Sequence, residues 1–222
     1  MDRPSSHALF VASRCLSHAR LDEARTRSLA VIVGTALGCA EVNERYHRGL
    51  VERGSEGASP ILFAQTIPSA PAGEVAIALG AKGHATTVMA GRASTAAAFV
   101  EARRTIALGR ADAALVLVGD TLGADRARLR RERGESLAAE ASAGFVIERE
   151  TDAIARGATP VARLETASLS SHDGGDDDHA NWLGASGAME LAAWLAEGHG
   201  DHFSHDALCA SGRRGTLRLR RI

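Results

Sequence analysis

The stretch that most constrains this chain is Thr86-Thr87-Val88-Met89-Ala90-Gly91-Arg92-Ala93-Ser94-Thr95, running into Ala96-Ala97-Ala98-Phe99-Val100-Glu101-Ala102. Thr86–Ala90 reads as a strand, the small residues after it as a tight turn, and Ser94–Leu108 as a long helix entered at its N-terminus. Such an elbow commonly presents a nucleophile to a pocket, because the unpaired N–H groups at the helix start supply positive potential. The residue at the apex here is Arg92, whose guanidinium is no nucleophile. The pattern predicts a catalytic elbow with its chemistry removed.

The remainder alternates strand and helix. Leu29–Gly34 and Ala113–Gly119 are short continuous apolar runs of the kind found in buried parallel strands, and Ala113–Gly119 is the clearest of them. Ala143–Glu148, Pro160–Thr166 and Gly215–Arg221 read as further strands. Ala40–Arg53, Gly73–Leu79 and Ala185–Ala196 read as helices, and Pro60, Pro68 and Pro71 break the intervening region into short pieces. This order predicts a layered α/β fold with a mixed sheet. Hydrophobic residues make up 45% of the chain but aromatic residues only 4%. The core must therefore be built from Ala, Val, Leu and Ile, with small residues permitting close helix–sheet approach.

At 222 residues the chain suits one sizeable domain. Lys and Arg number 26 against 27 Asp and Glu, a net charge of −1, which argues against bulk attraction to nucleic acid. Cys15, Cys39 and Cys209 are widely spaced, with no metal or disulfide pattern, as expected in a reducing cytosol. The short apolar stretch Ala8–Ala12, with His7 and Arg14 beside it, lacks the layout of a signal peptide, and no run approaches a membrane span. The expectation is a soluble cytoplasmic domain without cofactor or metal.

An ordered series of motifs resembles the N-terminal half of the β-ketoacyl synthases, condensing enzymes of the thiolase-like superfamily. Val31-Ile32-Val33-Gly34-Thr35-Ala36-Leu37-Gly38-Cys39 is similar to their "VVVGTGLGG". Ser59-Pro60 and Thr66–Ile77 resemble "SP…(I/L)PN-x-AAG-x-(I/V)-(A/S)-I", and Leu79–Gly83 resembles "LGLKGP". The elbow falls on "TVSTACASS", Ile106–Asp112 on "IRLGEAD", Ala139–Glu148 on "GEGAGVLVLE", and Ala155–Ala158 on "ARGA". Asn181–Glu190 resembles "H-x-LGAAGA-x-E", and Ala207–Arg220 resembles "LVNSFGFGGTNA-x-LVL". The resemblance implies a thiolase-like fold, condensed relative to full synthases. It divides the single domain into a leader with helix at 1–28, an N-terminal-half-like part at 29–169, an acidic linker at 170–180 and a remnant of the C-terminal half at 181–222.

The departures decide what the resemblance implies about function. The family's cysteine, which takes the acyl chain as a thioester, falls on Arg92; one of its two histidines falls on Asn181; and no "HGTGT" segment for the other is present. The resemblance therefore implies a non-catalytic subunit, like the chain-length factors that pair with an active β-ketoacyl synthase and shape its acyl tunnel. The preferred setting is a polyene or similar highly unsaturated acyl product, as in aryl-polyene-type pathways, within type II polyketide or fatty-acid-like biosynthesis. Thr86, Thr87, Val88, Met89, Ala90, Gly91 and Arg92 would then form the interface and tunnel floor, with acyl carrier protein an indirect partner. Alternatives are a stand-alone acyltransferase or thioesterase using Ser94 or a cysteine, and a purely structural stabilising partner.

Other residues have blander readings. A guanidinium at a helix N-terminus sits at the unfavourable end of the dipole, so Arg92 needs an acidic partner, solvent or an anion on another chain. Ser94 in the first helical turn reads as a cap or packing residue. His172–His179 lacks the register of a calcium loop and reads as a solvated linker. His199, His202 and His205 read as polar surface in a glycine-containing loop. Arg126, Arg128, Arg130 and Arg131 read as a solvated helical face or, functionally, as a docking patch for an acidic carrier protein. Arg213, Arg214, Arg218, Arg220 and Arg221 read as charges that discourage edge pairing on a half-exposed strand. Neither basic patch has the aromatic interleaving of a nucleic-acid surface.

Overall fold

Strand β1 (Ala30–Thr35) is buried at every position, because it runs between two parallel neighbours and beneath helices on both faces. The computed structural model describes residues 1–133, 140–171, 185–209 and 212–222. β2 (Ala85–Met89) and β3 (Ala113–Asp120) flank β1 in parallel, and β4 (Ala141–Glu148) adds antiparallel to β3. The sheet order is β2-β1-β3-β4, so β2 is an edge strand. A second, wholly antiparallel sheet has the order β5-β7-β6, from β5 (Ala162–Ser171), β6 (His202–Cys209) and β7 (Arg213–Arg221). The mixed sheet expected from the sequence is thus the first of two.

Helix α1 (Arg3–Ala19) starts on an Asp2 cap, whose carboxylate accepts from Ser5 N at 2.7 Å, and covers one face of the first sheet. It does so with α5 (Ala70–Leu79), burying Ala12, Val31, Val75 and Leu115. Between α1 and α5 come α2 (Glu23–Ser28), α3 (Ala40–Arg53) and α4 (Pro60–Ala64). Pro71 sits at the start of α5, where its missing N–H costs nothing, so the helix begins three residues before the predicted Gly73.

Helix α6 (Ser94–Ala107) lies between the two sheets. Its Ala98, Phe99 and Ala102 share one core with Ile32 and Val116 of the first sheet and Leu217 and Leu219 of the second. Small residues make this sandwich fit. A methyl group on Gly34 of β1 would stand 2.9 Å from the Ser94 carbonyl oxygen, and one on Gly215 of β7 would stand 2.8 Å from Ala96 Cβ. Alanine and glycine let a helix backbone touch a sheet on each side. Helices α7 (Ala124–Glu132), α8 (Glu150–Ala155) and α9 (Ser186–Glu197) complete the order, α9 packing beside α6 against β4 and β6. Arg156, just past α8, grips the Glu148 carboxylate through Nε at 2.9 and 3.1 Å and donates to the Ala19 carbonyl at 2.9 Å, fastening α8 to the end of α1.

Three expectations are corrected. His202 and His205 lie on strand β6 rather than in a loop, and an odd spacing on a strand turns them to opposite faces. His202 is exposed, while the His205 ring packs against Gly187 of α9. Ser170 and Ser171 belong to β5, opposite Arg214 and Arg213, rather than to a linker. β7 is the central strand of its sheet, so its arginines do not guard an edge. Arg214, Arg218 and Arg220 alternate with buried Gly215, Leu217 and Leu219, and two of them pair across the outer face, Arg218 with Asp206 at 2.7 Å and Arg220 with Glu165 at 3.2 Å, while Arg221 donates to the Trp194 carbonyl at 2.7 Å. The segment 172–180 and Asn181 lie outside the described residues.

Candidate functional site at the elbow

β2 ends at Met89, and Gly91-Arg92-Ala93 forms one tight 3-10 turn before α6 starts at Ser94. Gly91 has φ +53°, a left-handed conformation that glycine adopts without strain. It also has to be glycine for space, since a Cβ there would lie 2.5 Å from Cys209 Sγ. The predicted strand, turn and helix are therefore present, with half-buried Arg92 in the middle of the turn.

Ser94 is fully buried, and its hydroxyl is committed to the main chain. It accepts from Ala90 N at 3.1 Å and shares its proton between the carbonyls of Gly91 at 2.7 Å and Thr35 at 2.8 Å. A hydroxyl so engaged closes the turn and has no base beside it among the described residues; this is the packing role expected from its place in the helix. Thr35 is held in turn. Its hydroxyl donates to the buried Asp120 carboxylate at 2.5 Å, which also accepts from Ala36 N at 3.0 Å and Leu37 N at 2.9 Å. One hydrogen-bonded chain thus runs from the end of β3, through the turn after β1, to the elbow.

Of the three thiols, burial pushes Cys15 up to about 11 and also raises Cys39. Cys15 lies on α1 against Gly144, and the Cys39 thiol donates to the Thr66 carbonyl. Cys209 is the residue that sequence reasoning did not connect to the elbow. The pairing of β6 with β7 carries it to Gly91, across 118 positions of chain, and no local pattern announces that approach.

The residues expected to form an interface line up along β2. Val88 turns toward Ala93 and Ala97 of the elbow and α6. Met89 turns to the other face, over Gly38, and is 46% exposed. Ile61, Phe63 and Ile67 are exposed as well. The outer side of β2 has no strand partner among the described residues. On α7, Arg126 faces Glu44 at 3.7 Å and Arg128 faces Glu132 at 3.6 Å, while Arg131 is exposed. Among the described residues, no group of three or more His, Cys, Asp or Glu side chains is placed to hold a metal ion, and no helix is long and apolar enough to cross a membrane.

Known proteins bear on this geometry. Residues 1–157 match the family model of the β-ketoacyl synthase N-terminal domain. The 3-oxoacyl-[acyl-carrier-protein] synthase 2 of Mycobacterium bovis is 30% identical over 89% of this chain and 54% of its own length. The synthase of the same description from Staphylococcus aureus is 31% identical over 51% of this chain and 28% of its own length. The chain therefore spans about half, or less, of the curated relatives it matches. Among solved structures, a type II polyketide synthase acyl-carrier protein in complex with its ketosynthase bound to the hexaketide gives a TM-score of 0.84 at 16% identity, covering 100% of this chain and 84% of that one. The ishigamide ketosynthase/chain length factor gives 0.82 at 19% identity, covering 100% and 81%. Two sheets around a central helix, an elbow feeding that helix and a family match over most of the sequence lead to one assignment: this chain belongs to the β-ketoacyl synthase family and has its thiolase-like fold.

Proposed function

We propose that this chain is a non-catalytic ketosynthase-like subunit that pairs with a cysteine-bearing β-ketoacyl synthase in the cytoplasm and shapes the tunnel for its growing acyl chain. The observation that carries this reading is the guanidinium of Arg92 at the apex of the elbow, where the family places a thiolate nucleophile. In this reading the guanidinium offers nothing to acylate at that position, and the neighbouring Ser94 hydroxyl is bonded to the backbone. The side of β2 without a strand partner among the described residues, ending in exposed Met89, supports pairing with a second synthase-like chain through this edge. Asn181 in place of a family histidine points the same way.

In this role the chain acts by geometry. Met89 and its neighbours limit the space left for extension, in an aryl-polyene-type or related polyketide pathway in which acyl carrier protein meets the active subunit. The rival reading, an acyltransferase or thioesterase in its own right, now rests on Cys209, the thiol that the fold carries to Gly91.

Co-expression with a cysteine-bearing synthase and its carrier protein tests the proposal. The expected result is stable co-purification, acyl thioester on the partner's cysteine alone, and a shorter product when Met89→Trp reduces the tunnel. A thioester on the isolated chain that disappears in Cys209→Ala, with turnover in the absence of a partner, would overturn it. Co-purification with product length indifferent to Met89→Trp would leave only a structural partner.

A further inference from the structure

We propose a second interaction surface at the opposite end of the first sheet, where an open groove fits an acidic protein surface. The groove has a volume of about 740 Å³ and is formed where three segments meet at the N-terminal ends of the parallel strands. Arg27 comes from the end of α2, Lys82 from the turn between α5 and β2, and Arg110 from the turn between α6 and β3. Among the described residues Glu23 is the single acid in its lining, and it is held by Arg27 at 3.0 Å.

The backbone fixes these cations side by side. Lys82 N donates to the Arg27 carbonyl at 2.7 Å, and Val31 N donates to the His84 carbonyl at 2.8 Å. Between them Gly83 lies so close that a Cβ would stand 2.6 Å from the Ser28 carbonyl oxygen and 2.5 Å from that of Leu29. The two turns are therefore clamped together, and their positive side chains share one wall. Lys82 and Arg110 follow the C-termini of α5 and α6, where a cation complements the helix dipole. Yet neither side chain makes a hydrogen bond or ion pair among the described residues, and both are exposed. Arg27 is countered by Glu23, but Lys82 and Arg110 have no counter-charge among the described residues, a local excess of cations in a chain of net charge −1.

The groove's shape and lining select the partner. It opens broadly to solvent, whereas small-molecule sites enclose most of their ligand. Its lining contains no aromatic side chain on which nucleic-acid bases would stack. Carboxylates spread along a protein helix match cations held on three separate segments, the end of α2 and two turns, and Leu108 is exposed two residues before Arg110. The six residues of β1 separate the groove from the elbow by roughly 17 Å. The proposal therefore stands independently of pairing at β2.

Fluorescence anisotropy on the full chain tests it. The probes are a labelled synthetic 15-residue helix bearing glutamates on one face, its glutamine counterpart and a labelled oligothymidylate. The acidic helix should bind, weaken with added salt, and lose at least about tenfold in affinity in Lys82→Glu/Arg110→Glu. Arg14→Glu/Arg45→Glu, at exposed positions of α1 and α3 outside the groove, should bind it as the parent does, with thermal melts confirming that both variants fold. No binding, equal binding of the glutamine helix, tighter binding of the oligonucleotide, or equal loss in the two variants would overturn the proposal.

Discussion

The hydroxyl of Ser94 donates to the main-chain carbonyl of Thr35 at 2.8 Å, joining the first turn of α6 to the end of β1. Ser94→Ala removes this bond and leaves Ala90 N–H, as well as two carbonyls, short of a partner in a buried place. It should cost about 1–3 kcal/mol, read as a lower urea midpoint at unchanged slope. Partner binding through β2 should survive wherever the protein stays folded.

Asp120→Ala should cost more. The carboxylate is 3% exposed and is the acceptor for the Thr35 hydroxyl and two backbone N–H groups of the turn after β1. Deleting it strands one buried and two part-buried donors, so a loss of about 3 kcal/mol is expected by chemical denaturation. Asp120→Asn, which keeps one acceptor oxygen, should lie between alanine and the parent.

Gly34→Ala and Gly215→Ala press on α6 from opposite sheets. The first drives a methyl into the Ser94 carbonyl oxygen at 2.9 Å, the second into Ala96 and Ala93 at 2.8 and 2.9 Å. Each should destabilise by about 1–3 kcal/mol. The double variant should depart from additivity, because both displacements act on one helix. A thermodynamic cycle over the four proteins measures that coupling.

Cys15 gives an alkaline limb to stability. Burial holds its thiol up to about 11 in the folded chain, whereas an unfolded cysteine ionises near 8.5. A raised folded-state value means that its contribution is fully present below about 8.5 and is lost as pH climbs toward 11. Denaturation midpoints measured from pH 8 to 11 should fall less steeply in Cys15→Ala than in the parent. Cys15 should also resist alkylation at pH 8 until the protein unfolds.

The first half of the fold was legible in the sequence because its elements announce themselves locally. β1 and β3 are uninterrupted apolar runs, α3 has helical spacing throughout, and the strand–turn–helix at Met89 to Ser94 is written in small residues. The second sheet was harder to read. In β6, Phe203 and Ala207 alternate inward with period two, but Gly198, Gly200 and the histidines beside them obscure that pattern. Ser168 to Ser171 have little strand propensity and are held in β5 by register with β7, a case of tertiary pairing deciding the conformation.

The site divides the same way. A serine opening a helix reads as a packing or capping residue from sequence alone. Its acceptor Thr35 lies 59 positions away, and Asp120 lies 85 positions beyond Thr35. Only the parallel pairing of β1 with β3 brings these groups together, as the second sheet brings Cys209 to Gly91.

The place of β7 has a consequence for how the molecule assembles. β5 can acquire its neighbour only after some fifty further residues have been made, since Ser171 pairs with Arg213 and Ala162 with Arg221. Until then the lower side of α6 stays wet, and the growing polypeptide carries one finished sheet beside an orphan ribbon. Closure of the second sheet is thereby deferred until β7 has been made, a step of high contact order and a natural moment for a chaperone or a companion subunit to intervene.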